Sequence, residues 1–375
     1  LRRGLGLPSP GNWEALHRDI KGTLPSLHQF EGAKVDLSSV ISQNFQVSHA
    51  IQWGVAGPVP NKYSFSAGYI TERLLLHGQL DDELVLQGRA NYNWVVQPQP
   101  APPTVDANGI PQPPAGPAKP ATSSTTKVQM QLGSTQAPDM IQLEHDHCGT
   151  DFALNLKAVN PNLIDVAPKF GAQKARGGGR ATTGVYSASY LQSITRHLAV
   201  GLEYMWQRPF PEMEEAAMTY ALRYAPTLQP GQALPNPATL PAGIPVGQVY
   251  PPVRATDPNR VFTATFAPAN GAFHASWWQR INPRLEVASE LQMLLTTGSP
   301  AAGTMGNRQA LASVGFKLDT VSATIRSSID TMGRVTTVLE EKLASGLSVL
   351  LSGEMDYTKG NGGAGRVGLG FVLEA

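Results

Sequence analysis

The sequence has few charged residues and no long hydrophobic run. Charged side chains make up 15% of the 375 residues, against about 25% in typical soluble domains. Nowhere do about 18 apolar residues follow one another, so a transmembrane helix is excluded. This composition fits neither an ordinary cytosolic enzyme nor a bundle of membrane helices. A transmembrane β-barrel remains, because its strands alternate apolar and polar side chains and so have moderate hydropathy.

Cysteine and an excess of charge of one sign are also lacking. Cys148 is the only cysteine, so no intramolecular disulfide can form. The formal net charge of +1 argues against a nucleic-acid partner. The first seven residues are too short and too rich in glycine for the apolar region of a signal peptide. Because the first residue is leucine rather than methionine, we expect further residues to precede it.

Helical periodicity is clear only within an N-terminal segment of residues 1–29. Apolar residues recur there at helical spacing: Trp13, Leu16, Ile20 and Leu24. Asn12 is a suitable N-cap and Pro25 ends the run. The pattern predicts one amphipathic helix, which is either a surface helix or, in a barrel, a helix inside the lumen.

From residue 30 to residue 375 the pattern has a period of two, typical of strands. We count about nineteen such segments, most of them about 9–11 residues long, the length that a tilted strand needs to cross a bilayer. They start near Ala33, Asn44, Tyr63, Leu74, Glu83, Thr126, Met140, Thr150, Ala181, Leu198, Ala217, Arg260, Ala272, Leu285, Gln309, Thr320, Arg334, Leu347 and Ala364. Short turns separate most of them, which predicts an all-β meander of hairpins.

Proline is concentrated in two low-complexity insertions, residues 97–125 and 226–259. Together they hold 18 of the 31 prolines, and their composition favours disorder over strands. By our count they follow the fifth and the eleventh strand.

A soluble β-sandwich, structural or carbohydrate-binding, is the alternative from a different class. The polar face argues against it, because this face is rich in Ser, Thr, Gln and Asn, and the apolar face has aromatic residues near strand ends, as in membrane girdles. No catalytic constellation is evident, so we expect no enzyme, no cofactor and no metal site. The one cluster of ligand types, His145-Asp146-His147-Cys148, alternates between the two faces of a strand and cannot surround one ion.

Strand parity places seven acidic residues on the polar, lumenal face. They are Glu144, Asp146, Glu203, Glu286, Glu290, Glu354 and Asp356. Three basic residues share this face: Arg89, Lys157 and Arg326. Either the acids attract cationic segments, or they only solvate a water-filled wall and pair with the bases.

Two stretches resemble one known family. They are Asn44-Phe45-Gln46-Val47-Ser48-His49 and Tyr190-Leu191-Gln192-Ser193-Ile194-Thr195. The N-terminal Pro10-Gly11-Asn12-Trp13-Glu14, with His17-Arg18 and Phe30-Glu31-Gly32, is similar too. The family is the channel-forming subunit of the translocase of the outer mitochondrial membrane, in the mitochondrial porin superfamily. The two Pro-rich insertions depart from its pattern.

The C-terminus resembles the β-signal by which mitochondrial outer-membrane barrels are recognised for insertion. Its residues are Arg366, Gly368, Phe371 and Leu373. Phe371 and Leu373 share the lipid face, while Gly368 permits a close approach of neighbouring backbone. The voltage-dependent anion channels end similarly, so this signal does not choose between members of the superfamily.

The resemblance implies a 19-stranded transmembrane β-barrel with its first and last strands paired in parallel and the N-terminal helix inside the pore. It implies a multi-pass protein of the mitochondrial outer membrane that imports unfolded precursor proteins with cationic presequences. Its partners would be single-helix receptor and small subunits of the translocase, a second copy of the chain and phospholipid. The interface near the first strand and the last two would involve Val35, Leu37, Leu347, Val349 and Leu369, residues that could equally face lipid alone. The alternative within transport is a voltage-dependent anion or metabolite channel, for which a more basic lumen would be expected.

Overall fold

The computed structural model is a closed barrel of nineteen strands around an N-terminal segment. It describes residues 7–54, 61–95, 122–133, 139–160, 184–210, 213–226, 258–282, 284–295, 308–358 and 364–374. Among these residues no helix is long and apolar enough to cross a membrane. Most of the two Pro-rich insertions lies outside the described residues.

The strands follow one another around the barrel in chain order. They are β1 (Gly32–Ser42), β2 (Phe45–Trp53), β3 (Lys62–Ile70), β4 (Leu74–Asp81), β5 (Leu86–Asn93), β6 (Ser123–Leu132), β7 (Met140–Cys148), β8 (Phe152–Val159), β9 (Gly184–Ser193) and β10 (Leu198–Phe210). The remainder are β11 (Met213–Tyr224), β12 (Arg260–Ala267), β13 (Ala272–Asn282), β14 (Leu285–Leu295), β15 (Arg308–Asp319), β16 (Ala323–Asp330), β17 (Arg334–Ala344), β18 (Leu347–Asp356) and β19 (Ala364–Glu374).

Neighbouring strands pair antiparallel, and the barrel closes where β1 pairs parallel with β19. The parallel register runs from Gly32 opposite Gly368 to Ser38 opposite Glu374. An odd number of strands in a meander makes the first and last strands run in the same direction, so closure has to be parallel. The predicted count and the parallel seam are both confirmed.

Five strand starts differ from the prediction by three or four residues, among them β9, which begins at Gly184 rather than near Ala181, and β11, which begins at Met213 rather than near Ala217. β5 begins at Leu86 rather than near Glu83, because Leu84 adopts a φ of 58° and the Asp81 carboxylate accepts a hydrogen bond from the Val85 amide at 2.8 Å. β16 likewise begins at Ala323, after a turn in which the Thr320 hydroxyl contacts Ala323. β6 begins at Ser123, inside the range assigned to the first insertion.

The N-terminal helix is shorter than its periodicity predicts. One α-helix, α1 (Arg18–Thr23), is flanked by 3-10 turns at Trp13–Ala15 and Pro25–Leu27. Asn12 precedes the first turn, but its side chain makes no capping hydrogen bond. His17, with φ −102° and ψ 15°, interrupts the run before α1. The periodicity therefore predicted correctly which side chains face the barrel wall, but the prediction of one continuous helix was wrong.

The two faces of the barrel have the reverse of a soluble protein's polarity. Large apolar side chains are exposed on the outer face, for example Leu369 at 40% and Phe371 at 38%. Polar inward-facing side chains are buried, for example Ser276 at 2% and Ser352 at 3%. An exposed apolar belt around a polar interior is the pattern of a barrel in lipid and not of a soluble sandwich.

Candidate functional site: the barrel lumen

Residues 8–31, here called the strap, cross the lumen from one rim to the other. At one rim the Ser193 hydroxyl at the end of β9 donates a hydrogen bond to the Pro8 carbonyl oxygen at 2.7 Å. At the other rim Gly32 begins β1 with a φ of 88°, which favours glycine. Odd-numbered strands all run in one direction, so the end of β9 and the start of β1 lie at opposite rims.

Apolar side chains fix the strap to the lumen wall in two clusters. Leu16, beside Trp13, packs on β8, β9 and β11, where it meets Ala153, Leu191 and Ala221. Ile20 and Leu24 pack on β12–β14, where they meet Val261, Trp278 and Ala288. Burying aliphatic side chains of this size stabilises the docked strap by roughly 1.5–3 kcal/mol each. The strap thereby removes apolar surface from a lumen that is otherwise polar.

Ion pairs hold the first part of the strap. The Glu14 carboxylate lies 3.6 Å from Lys127 Nζ on β6 and 3.4 Å from Lys157 Nζ on β8. Lys127 is itself 2.9 Å from Glu144 Oε1, so the strap joins a network that already exists in the wall.

Hydrogen bonds hold the second part of the strap. Trp278 Nε1 donates to Thr23 Oγ1 at 3.1 Å, and that hydroxyl lies 3.4 Å from Glu286 Oε2. Arg326 Nε donates to the Gly22 carbonyl oxygen at 3.2 Å. These bonds use wall residues of β13, β14 and β16.

His17 marks the middle of the strap and stacks on a second histidine. Its ring lies 4.0 Å from that of His274, centroid to centroid, and its Nδ1 is 2.9 Å from Ser276 Oγ and 3.1 Å from Thr263 Oγ1. Burial lowers the pKa of His17 to about 4, and His274 and Lys21 add to this, while Glu290 opposes it. The neutral imidazole is therefore the form that the docked strap holds.

Acidification should loosen the strap at His17. The docked pKa lies below the ordinary value of 6.5, so docking is unaffected above about pH 6.5 and weakens as the pH falls from there towards 4. Single-channel current noise recorded between pH 7.5 and 5 measures this loosening. His17→Phe keeps the ring and removes the titration, so its noise should stay flat. Equal pH dependence in both chains would assign the effect to another group.

The structure places all seven predicted acids on the inward face, but it treats them differently. Glu144 and Asp146 are 3% and 7% exposed, and both lie beside Lys127 and the Asn155 amide. Both carboxylates are buried and bonded within the wall, so we do not count them among the acids that are free to meet a passing molecule.

Of the other five acids, Asp356 is as buried as Asp146, at 6% exposed, and the remaining four are more exposed to the lumen. Glu286 pairs with Arg280 at 3.2 Å and Glu354 with Arg334 at 3.3 Å. Glu290 Oε1 lies 2.7 Å from His274 Nε2. Glu203 faces Trp13 of the strap, and Asp356 accepts hydrogen bonds from Thr358 beside the rim.

The parallel seam carries both the terminal motif and the predicted interface. The predicted interface lies on the outward faces of β1, β18 and β19. Phe371 is in register with Val35 and Val349, and Leu373 is in register with Leu37 and Leu347. Leu369 shares the outward face of β19 with them. Gly368 faces inward and is covered by Phe30 of the strap, whose ring would lie 2.8 Å from a β carbon at position 368. Arg366 Nε lies 3.7 Å from Glu31 Oε2.

A side chain at position 368 should release the rim end of the strap. Gly368→Val would push against the Phe30 ring and carbonyl, and overpacking of this kind costs about 1–3 kcal/mol. Limited proteolysis of the strap in the inserted barrel should become faster. Gly365→Val on the same strand is the matched control, since a β carbon there meets only Glu354 O at 3.7 Å. Equal protection of both variants would contradict the contact.

Sequence reasoning missed the partners of the strap and the Lys127 network. The strap contacts join residues more than 300 positions apart along the chain, such as Gln29 and Glu354, so no local pattern contains them. Lys127 could have been found, because its parity places it inward and the β6–β7 register places it opposite Glu144.

A closed barrel with an apolar exterior and a polar lumen defines a transmembrane pore. Residues 9–97 and 118–368 match the family model described as eukaryotic porin. The chain therefore belongs to the eukaryotic porin family.

Curated relatives cover the whole chain or nearly all of it. The mitochondrial import receptor subunit Tom40 of Neurospora crassa is 26% identical over 100% of this chain and 85% of its own. The protein of the same name from Saccharomyces cerevisiae is 28% identical over 100% and 80%. A homologue from Drosophila melanogaster is 26% identical over 98% and 84%. Among solved structures, a variant of Rh. blastica porin superposes with a TM-score of 0.42 at 9% identity, covering 88% of this chain and 96% of its own.

Proposed function

We propose that this chain is the protein-conducting channel of the mitochondrial outer membrane and imports unfolded precursor proteins with cationic presequences. The names of its relatives support this function over an anion or metabolite channel. The observation that carries it is the lumen itself, where the apolar side chains of the strap are turned to the wall and carboxylates line the remaining path.

The size of the lumen suits an unfolded chain. A barrel of this strand number leaves a passage of roughly 20–25 Å after the lining side chains and the strap are counted. An extended chain or one helix of about 10–12 Å diameter fits that space, whereas a folded domain does not. Presequences are amphipathic, rich in arginine and poor in acids, so lumenal carboxylates attract them weakly enough to permit release.

No covalent step belongs to this function. The family consists of channels, and the chain acts by position and charge. The acids proposed to contact presequences are Glu203, Glu286, Glu290 and Glu354, with the buried Glu144, Asp146 and Asp356 shaping the wall beside them.

Reconstitution into planar bilayers tests the proposal. A cationic amphipathic peptide should close the channel for sub-millisecond intervals in a voltage-dependent manner, and a charge-reversed peptide of the same length should not. A channel that conducts small anions and ignores both peptides would support the metabolite-channel alternative.

The outward seam strip is the proposed contact for other subunits. Its members, Val35, Leu37, Leu347, Val349 and Leu369, would meet single-helix receptor and small subunits, phospholipid and a second copy. In a Cys148→Ser background, Leu37→Cys should form a disulfide between copies in the membrane, and Leu202→Cys on β10, nine strands away around the barrel and exposed on its outer face, should not. Equal cross-linking at both positions would contradict the assignment.

The C-terminal strand is proposed to direct insertion into the membrane. Arg366, Gly368, Phe371 and Leu373 would be its recognised positions. Phe371 and Leu373 point outward at the seam, where an insertion machinery can reach them before the barrel closes.

A further inference from the structure

Five glutamines on neighbouring strands form one patch of the lumen wall, here called the amide wall. They are Gln79 on β4, Gln87 on β5, Gln129 and Gln131 on β6 and Gln142 on β7. Gln79 is in register with Gln87, Gln87 with Gln131, and Gln129 with Gln142. All five share the inward parity of Lys127 and Glu144, so their amides lie side by side across four strands.

The strap leaves this wall uncovered. The polar contacts of the strap go to β2, β8–β14, β16, β18 and β19, apart from the pairing of Glu14 with Lys127 on β6. Within the described part of the chain, the five glutamine side chains have no hydrogen-bond partner, and none of them is buried. Their amide groups are thus turned to the open passage.

The position of the amide wall in the barrel sets what it faces. In a ring of nineteen strands, β5 lies opposite β14 and β15. The carboxylates of Glu286 and Glu290 on β14 are therefore across the lumen from Gln87. Arg89 lies between the glutamine rows and is exposed, so cationic side chains are repelled from this wall towards the acids.

A primary amide has donors and an acceptor and no charge, like the peptide group itself. It can therefore exchange hydrogen bonds with the main chain of any sequence. Each such bond replaces one with water and is worth little on balance, so a passing chain is held weakly and is not trapped. The wall also offers no large apolar side chain among these five positions.

We propose that the amide wall is a hydrogen-bonding surface for the main chain of an extended polypeptide in transit, opposite the acids that meet its cationic side chains. This inference rests on the proposed import function. It assigns the two sides of the passage to two parts of the substrate, the peptide groups and the charged side chains.

Site-specific photo-cross-linking to a precursor arrested in the channel tests the assignment. A photoreactive residue in place of Gln87 should give at least about tenfold more adduct than one in place of Leu86 or Ala288. Leu86 lies on the same strand and faces lipid, and Ala288 is 0% exposed beneath the strap. Adducts at Ala288 that equal those at Gln87 would overturn the proposal.

A second measurement tests the chemistry with defined peptides. The wild-type channel should hold a neutral glycine–serine peptide about three- to tenfold longer than its backbone N-methylated counterpart, the range that one hydrogen bond gives. Replacing all five glutamines of the amide wall by methionine keeps side-chain size and should abolish this difference. A difference that persists in the variant would overturn the inference while the import function stands. Failure of every peptide to enter the wild-type channel would overturn both.

Discussion

Replacing Glu286, Glu290 and Glu354 by glutamine should lower the association rate of a cationic presequence peptide by about tenfold at low salt. The three carboxylates lie on the inward faces of β14 and β18. A narrow passage lined by charges of one sign raises the association rate of an oppositely charged ligand by about 10-fold or more. Each forms an ion pair with a partly exposed base, so the substitution leaves that base without its counter-charge and makes the lumen more repulsive to a cation. The measurement is the frequency of peptide-induced closures in single-channel recordings.

The control keeps the same change in net charge outside the lumen. Asp82→Asn/Glu83→Gln/Glu374→Gln removes three exposed carboxylates at turns and the C-terminal end, and it should change the closure frequency by less than about twofold. The effect of the lumenal triple substitution should disappear above about 1 M salt, because the Debye length then falls to about 3 Å. Closure kinetics that are unchanged across the salt range would contradict the role of these acids.

Truncating the two apolar anchors of the strap should undock it. Ile20 and Leu24 are each 4% exposed, and truncating a buried aliphatic side chain to alanine costs about 2–5 kcal/mol. Ile20→Ala/Leu24→Ala should therefore raise current noise and the mean conductance, because the strap no longer stays on β12–β14. Single-channel recording measures both quantities.

Leu27→Ala is the matched control in the same segment. Leu27 is 67% exposed, so its truncation should leave conductance and noise unchanged. If the double variant conducts like the wild type, the polar contacts at Glu14, Thr23 and Gly22 suffice to dock the strap, and the apolar clusters do not determine its position.

The strands could be predicted from alternation alone. All nineteen begin within four residues of the positions read from the sequence. Every second side chain has to face lipid, and a one-residue shift of a strand would turn its apolar side chains into the lumen. Errors arise where the backbone conformation, and not the side-chain pattern, sets the end of a strand. Leu84 is an example, because its apolar side chain fits the strand pattern while its positive φ places it in a turn.

The strap could be predicted only as a pattern of side chains. Its spacing located the residues that meet the wall, but contacts with β8–β18 fix its backbone, and they override the preference for one continuous helix. His17 illustrates this, because its ring is held between His274 and the hydroxyls of Ser276 and Thr263 while its backbone leaves the helical region.

The lumenal acids could be predicted by parity, and their state could not. Asp146 and Glu286 have the same inward orientation, yet Asp146 is buried beside Lys127 and the Asn155 amide, while Glu286 pairs with Arg280 near the strap. Which acid is free depends on the residues opposite it in the register and on a segment from the other end of the chain.

Translocation of a precursor into liposomes that contain only this chain tests the central claim most directly. A presequence-bearing precursor that is kept unfolded should become protected from external protease, and the same precursor locked in its folded state by a tight ligand should remain accessible. Liposomes that release small metabolites while both forms of the precursor stay accessible would contradict a protein-conducting channel.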